Sequence, residues 1–258
     1  MDETGGKAIG IDIGGSRIKA AIVDPRKGET TTKRNKIDTP RPATPEAILE
    51  VCARAVEPFG DIPVAGVGFP GVIRDGIVHT AHNLADEWIG FDLEGRLGER
   101  LGRPVAALND ADAAGVAEVR FGAGKEVGGT VILLTIGTGL GSALFTDGRL
   151  VRNSELGRLW FGGKVEAEEY VSETAWEKEK LSEKTWAARM EEVLAAIETL
   201  FWPTRIILGG GGAKGFDSFA KRIKTRCDLV HADAKNKAGI IGAAAWAVER
   251  SNRATHPS

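Results

Sequence analysis

Cysteine is nearly missing. Cys52 and Cys227 are the only two in 258 residues and stand far apart, which excludes a disulfide framework and a cysteine zinc site and suits a reducing cytoplasm. No run of 18 or more apolar residues is present, so nothing in the sequence reads as a bilayer span. Net charge is almost absent too. Lys and Arg number 34 against 36 Asp and Glu, a formal −2, so no global field draws the chain to nucleic acid or an anionic membrane, and a polyanion would need a local basic groove. The start, MDETGGK, is acidic and lacks an apolar signal core, from which no export is expected. There is no solenoid-period repeat, no low-complexity tract and no GxxxxGK[ST], which excludes a P-loop site.

What is present is an ordinary soluble composition, 42% hydrophobic and 27% charged, long enough for one large domain or two lobes. The 34 glycines are nearly double the usual share and gather in a few loops. Strands are expected at 7–13 and 17–23 around Gly14-Gly15, with a third, polar strand near 29–38. A helix follows over 45–58, a buried strand at 63–69 and a helix at 92–101 with Asp92 as cap. PVAALND (104–110) is a strand ending in two polar groups, followed by an Ala-rich helix at 111–120. A second meander, 130–137 and 140–145, brackets Gly137-Thr138-Gly139. A long helix at 182–201, a strand at 205–208, a glycine break at 209–212, a helix near 215–225 and an apolar helix at 238–249, buried against another lobe, complete the reading.

The stretch IGIDIGGSRIKAAIVD (9–24) sets Asp12, two glycines, Ser16 and two bases between apolar strands. A glycine pair there lets the backbone approach a ligand and turns amide N–H groups outward, an anion cradle. Asp12 would repel bare phosphate but suits a phosphate carrying Mg²⁺. The plain alternative is a tight hairpin with glycine for positive φ and a surface Lys19. A second glycine hairpin, TIGTGLG at 135–141, favours the phosphate reading.

Asp12-Ile-Gly-Gly-Ser-Arg-Ile-Lys19, Asn109-Asp110, Leu134-Thr-Ile-Gly-Thr-Gly-Leu-Gly141, Glu155-Leu-Gly157 and Leu208-Gly-Gly-Gly-Gly212 together resemble, in order and spacing, the sugar kinases of the ROK family (repressor, open reading frame, kinase). Within it, TIGTGLGSALFTDGRLVRNSELG, HNLADEWIG and NKAGIIGAA resemble the polyphosphate glucokinases and glucomannokinases of actinobacterial type. The resemblance implies an α/β actin-like ATPase (ribonuclease H-like) fold with two lobes around a central cleft. Residues 1–109, completed by a C-terminal helix at 238–252, would form the smaller lobe and 110–237 the larger. It also implies a cytoplasmic homodimer that makes glucose 6-phosphate.

Phosphoryl transfer to a sugar hydroxyl needs a base, a fixed acceptor and charge neutralisation. Asp110 is the candidate base; its plainer reading is a cap for helix 111–120. Asn83 and Asn109 are candidates for sugar hydroxyls, since amides donate and accept at once, though Asn83 also reads as a turn residue. Trp88 reads as packing before it reads as a sugar platform. Glu155 and Glu168 resemble the family's sugar-binding carboxylates. Donor phosphates fall to Asp12, Gly14, Gly15, Ser16 and Lys19, to Thr135, Gly137, Thr138 and Gly139, and to Gly210, Gly211, Gly212 and Lys214, with Mg²⁺ reaching Asp12 through the phosphate. The family usually has His after Glu-Leu-Gly, whereas this chain has Arg158, always charged and longer. It could reach a sugar oxygen, lie along an anionic donor or be solvated. The family's cysteine-rich zinc motif is absent, so zinc is not expected.

ATP and inorganic polyphosphate both remain possible donors. A polyphosphate groove would draw on Lys19, Arg149, Arg152, Arg158 and Lys214, unless these are ordinary surface charges. Mannose stays open beside glucose as acceptor, as do N-acetylmannosamine and a non-catalytic sensor. Gly210-Gly-Gly212-Ala-Lys-Gly215 matches a dinucleotide fingerprint, but about 40 residues follow it, too few for a Rossmann domain. A ROK repressor would carry a helix-turn-helix ahead of the first strand, where only about six residues stand.

Overall fold

The computed structural model describes residues 6–81, 84–161 and 165–255. Its first strand, β1 (Ala8–Ile13), is buried throughout except at Asp12, as suits a strand covered on both faces. It pairs antiparallel with β2 (Arg17–Asp24), which sets Asp12 opposite Lys19. The expected polar strand at 29–38 is instead two short ones, β3 (Glu29–Thr30) and β4 (Asn35–Asp38), both on β2. Between them the Thr32 hydroxyl accepts the Ile22 N–H at 3.1 Å, so a side chain takes the place of a ladder bond. Helix α1 (Pro45–Val56) starts where Thr44 accepts the Ala47 N–H and Pro45 fixes the first helical φ.

The chain then enters β5 (Ala65–Phe69), a small hairpin of β6 (Ile73–Arg74) and β7 (Ile77–Val78), and α2 (Leu93–Leu101), which Asp92 caps at the Gly95 N–H. Next come β8 (Val105–Asn109) and α3 (Asp110–Phe121). The sheet order is β3-β2-β1-β5-β8, with β1, β5 and β8 parallel. Trp88 is fully buried between Phe69 and Phe91 at ring separations of 4.8 and 5.2 Å, and its indole N–H donates to the Ala43 carbonyl. It is packing.

The chain forms two compact units. One runs to Ala117 and resumes at Lys237; the other is Glu118–Asn236. The second unit opens with β9 (Thr130–Ile136), β10 (Leu140–Thr146) and β11 (Arg149–Val151), an antiparallel meander. A short hairpin of β12 (Trp160–Phe161) and β13 (Val165–Glu166) leads into α4 (Ala167–Val171), α5 (Glu173–Glu179) and the long α6 (Glu183–Phe201). Then come β14 (Arg205–Gly209), α7 (Phe216–Phe219) and β15 (Asp228–His231). The order β11-β10-β9-β14-β15 repeats that of the first sheet: a meander, then two parallel strands. The helix expected near 215–225 lasts only four residues. The Ser218 hydroxyl donates to Glu183 and the Lys224 N–H to Glu191, so this stretch is tied to α6 rather than to a further helical turn.

The last helix, α8 (Ala238–Thr255), lies on β1, β2, β5 and β8, so the chain returns to its first sheet. Small residues permit the approach. A methyl at Gly10 would overlap the Ile240 carbonyl, and one at Gly66 the Ala243 carbonyl. No helix among the described residues is long and apolar enough to cross a membrane.

Candidate active site

In the first unit the chemistry gathers at the carboxyl ends of the parallel strands, where open α/β sheets carry their ligands. Asp12, next to the last residue of β1, stands opposite Gly68 of β5, and Phe69 faces Asn109 of β8. The Asp12 carboxylate takes a 2.8 Å bond from the Lys19 ammonium, both side chains being partly exposed. It also lies beside the first turn of α8, where a methyl on Gly239 would come within 3.4 Å of its carboxyl carbon. That end of the helix favours negative charge. The hairpin itself is shaped by the Gly14 N–H to Arg17 carbonyl bond of 3.1 Å.

Neither Gly14 nor Gly15 has a positive φ; a methyl on Gly14 would crowd the Arg17 carbonyl at 3.0 Å, whereas one on Gly15 would meet nothing within 4 Å. The Gly15 and Ser16 N–H groups find no partner among the described residues. The Gly15 corner is thus open on its outer side. Two groups unforeseen in the sequence hold it. The buried Thr39 hydroxyl donates to the Gly14 carbonyl at 2.6 Å, and the Arg41 guanidinium to that of Gly15 at 3.3 Å. A threonine just before Pro40 is the only sequence signal for either.

Asn109 is the true cap of α3. Its amide oxygen accepts from the Ala111 and Asp112 N–H groups at 2.8 and 3.2 Å, while its Nδ2 donates to the Gly71 carbonyl. The residue is buried, and Nδ2 has one further hydrogen with which to meet a hydroxyl. Asp110 is therefore not the cap but the first helical residue. One of its oxygens accepts the Ala111 N–H at 2.8 Å, and its Cα lies 3.6 Å from where a Gly68 methyl would stand. Asn83 lies outside the described residues.

The second unit has its own glycine turns. Thr135 and Ile136 end β9, Thr138 is exposed, and the Gly137 N–H donates to the Gly139 carbonyl. Parallel to β9, β14 ends at Gly209, and Gly210, Gly211 and Gly212 follow with Lys214 exposed. Two carboxylates approach these turns. Glu168 reaches to within 2.6 Å of a methyl position on Gly139 and Glu173 to within 3.1 Å of one on Gly211, while the Glu173 N–H donates to the Gly137 carbonyl.

Arg158 stands in the same cluster. Its guanidinium is 2.5 Å from Glu166 and 3.0 Å from Glu168. The Glu166 hydrogen bond, opposed by burial and supported by the negative field of Glu168, Glu166 and Glu155, raises its affinity for the proton. The described partners of its guanidinium are thus protein carboxylates. Glu166 was missed in the sequence, although an arginine in place of histidine calls for counter-charges nearby. Arg149 and Arg152 are exposed. Among the described residues no group of three or more His, Cys, Asp or Glu is placed to hold a metal ion by itself.

A strand-glycine-strand turn heading each of two sheets of the same strand order, with Asn-Asp opening a helix in the first, is the pattern of a sugar kinase family, and the chain belongs to it: residues 8–157 match the model of the ROK family. Among its curated relatives is the polyphosphate glucokinase of Mycobacterium tuberculosis (strain CDC 1551 / Oshkosh), 45% identical over 237 residues, 92% of this chain and 89% of the relative. The inorganic polyphosphate/ATP-glucomannokinase of Arthrobacter sp. strain KM superposes with a TM-score of 0.88 at 42% identity, covering 95% of this chain and 99% of that one. A ROK family glucokinase from Streptomyces griseus, in complex with glucose and AMPPNP, gives a TM-score of 0.79 at 26% identity over 95% and 100%. The fold is the actin-like ATPase fold of these kinases.

Proposed function

We propose that the chain is a cytoplasmic hexokinase-type phosphotransferase that makes glucose 6-phosphate from glucose, with inorganic polyphosphate and ATP as donors. The observation that carries this reading is Asp110 held at the mouth of β8 by the helix it opens, with its neighbour Asn109 fixed by three hydrogen bonds. Asp110 takes the proton of the attacking sugar hydroxyl. The remaining Nδ2 hydrogen of Asn109 and the carboxylates of Glu155 and Glu168 hold further hydroxyls, and Asn83 joins them. The Gly14–Ser16 N–H groups, Lys19 and the Gly137–Gly139 and Gly210–Gly212 turns receive donor phosphates.

Mg²⁺ fits Asp12. A lone carboxylate bonded to a lysine is no metal cage, but Mg²⁺ characteristically takes one or two carboxylates and draws its other ligands from water and phosphate. Bound there, the ion would neutralise charge on the donor. Mannose is the second acceptor we assign, and a homodimer the assembly.

Arg158 we assign to positioning. It joins Glu166 and Glu168, and so fixes the carboxylate that meets the sugar. Replacing it with Ala removes that charge-assisted bond, and KM for glucose should rise about tenfold, the equivalent of roughly 1.5 kcal/mol, with a smaller change in kcat. Lys restores only part, because a point charge does not fork between two carboxylates. Initial-rate kinetics on the two variants decide; an unchanged KM removes Arg158 from the site.

The function itself is tested by a coupled assay of glucose and mannose with each donor and Mg²⁺. Glucose turnover with both donors is expected. KM for long polyphosphate should climb more steeply than that for ATP between about 50 and 200 mM salt, because a polyanion held by several bases releases more counterions. Failure of every chain length at low salt, with ATP active, makes the enzyme ATP-dependent only.

A further inference from the structure

Residues 26–41 are the most one-sided stretch of charge near the hairpin. Within it stand Arg26, Lys27, Lys33, Arg34, Lys36 and Arg41 beside Glu29 and Asp38, a local +4 in a chain of net −2. The fold lays this stretch along β2, the strand that carries the phosphate hairpin at one end. Lys36 is the cross-strand partner of Lys19, and Asp38 that of Arg17, so these four side chains share one face. Arg41 is anchored on the Gly15 carbonyl. From there the bases continue past Lys36, Arg34 and Lys33 to the turn that holds Lys27, where Arg26 is bonded to Asp24 at 3.4 Å, over the length of an eight-residue strand, about 25 Å.

The stretch's acids do little to cancel it. Arg17–Asp38 at 3.3 Å is an exposed pair, and exposed pairs contribute little. Lys33 and Lys36 are exposed and have no carboxylate partner among the described residues.

The route drawn from the sequence through Lys19, Arg149, Arg152, Arg158 and Lys214 fares worse. Lys19 is bonded to Asp12, and Arg158 to Glu166 and Glu168. Glu173 stands at the Gly211 turn beside which Lys214 lies. A growing polyanion would meet carboxylates there and bases along β2.

We infer that the distal part of a long polyphosphate donor runs along the β2–β4 edge over Lys36 and Lys33, away from the Gly14-Gly15 turn; this rests on the donor reading given above. An ATP molecule or a tripolyphosphate ends near the turn, so neither uses the edge. The site acts on affinity through phosphate charge and has no part in the chemistry.

The test is the double variant Lys33→Gln, Lys36→Gln, assayed with long-chain polyphosphate, tripolyphosphate and ATP. KM for the long chain should rise about tenfold at 0.1 M salt, and the slope of log KM against log salt should fall by about two, one per base removed. KM for ATP and for tripolyphosphate should stay within about twofold, which also reports an intact fold. A long-chain KM that does not move, or an ATP KM that rises with it, overturns the inference while polyphosphate use by the unaltered enzyme stands. If the unaltered enzyme uses no polyphosphate at all, the donor reading falls first and this path with it.

Discussion

Asp110→Asn should lower kcat by about 10²–10⁴, the usual contribution of a general base, with either donor and by the same factor. The donor independence matters, because a base acting on the sugar hydroxyl serves every donor alike. The substitution keeps the shape of the side chain, and the amide oxygen can still accept the Ala111 N–H that the carboxylate now accepts. Asn109 supplies a second bond to the same N–H and one to Asp112, so the helix keeps its cap. The loss of one negative charge from the first turn of α3 costs less than about 1 kcal/mol. The thermal midpoint should therefore hardly change while turnover collapses. A variant with near-full kcat would move the base elsewhere, and a loss confined to one donor would place Asp110 on the phosphate side.

The two glycine hairpins and the Asn-Asp step were legible because they are local: strand, turn and strand follow one another in the chain, and their register is set within a dozen residues. The membership of α8 was partly legible from its apolar composition, which demands cover, but nothing in that composition tells that β1 and β5 provide it through Gly10 and Gly66. Roles that depend on partners remote in sequence were not legible. Asn109 at a strand end reads as a ligand group. That it caps α3 and reaches the Gly71 carbonyl 38 residues away emerges only once β5 and β8 pair.

Arg158 is the sharper case. Spacing left it among sugar, donor and solvent. The two-residue strands β12 and β13, too short to read from periodicity, set Glu166 opposite Trp160 and so bring its carboxylate to Arg158. Glu168 follows two residues later, at the start of α4. The strand β15 escaped for the same reason, as four half-exposed residues without alternation strong enough to mark them. Residues 29–38 were read only as a polar strand, because their charge has meaning only when Lys36 is known to lie beside Lys19.

Gly242→Ala puts two physical effects in direct opposition. Within a helix, alanine is favoured over glycine by about 1 kcal/mol, and Gly242 lies inside α8, so helix propensity alone calls for a more stable protein. Packing calls for the reverse. The new methyl would overlap the Ala113 carbonyl and stand 3.1 Å from the Ala117 nitrogen, both backbone atoms of α3. A crowded side chain can change rotamer, but a crowded backbone moves only with its helix. The loss should therefore reach the upper end of overpacking costs, about 3 kcal/mol, or a midpoint fall on the order of 6–12 °C for a chain of this size. Gly15→Ala is the matched comparison, since its methyl enters open space on a backbone without positive φ. Its midpoint should stay put while the donor KM rises, because the space is kept for phosphate. Thermal melts of the two variants, read beside their donor kinetics, separate a glycine that seats a helix from one that admits a ligand; a Gly242→Ala protein as stable as its parent would mean that α8 does not rest on α3.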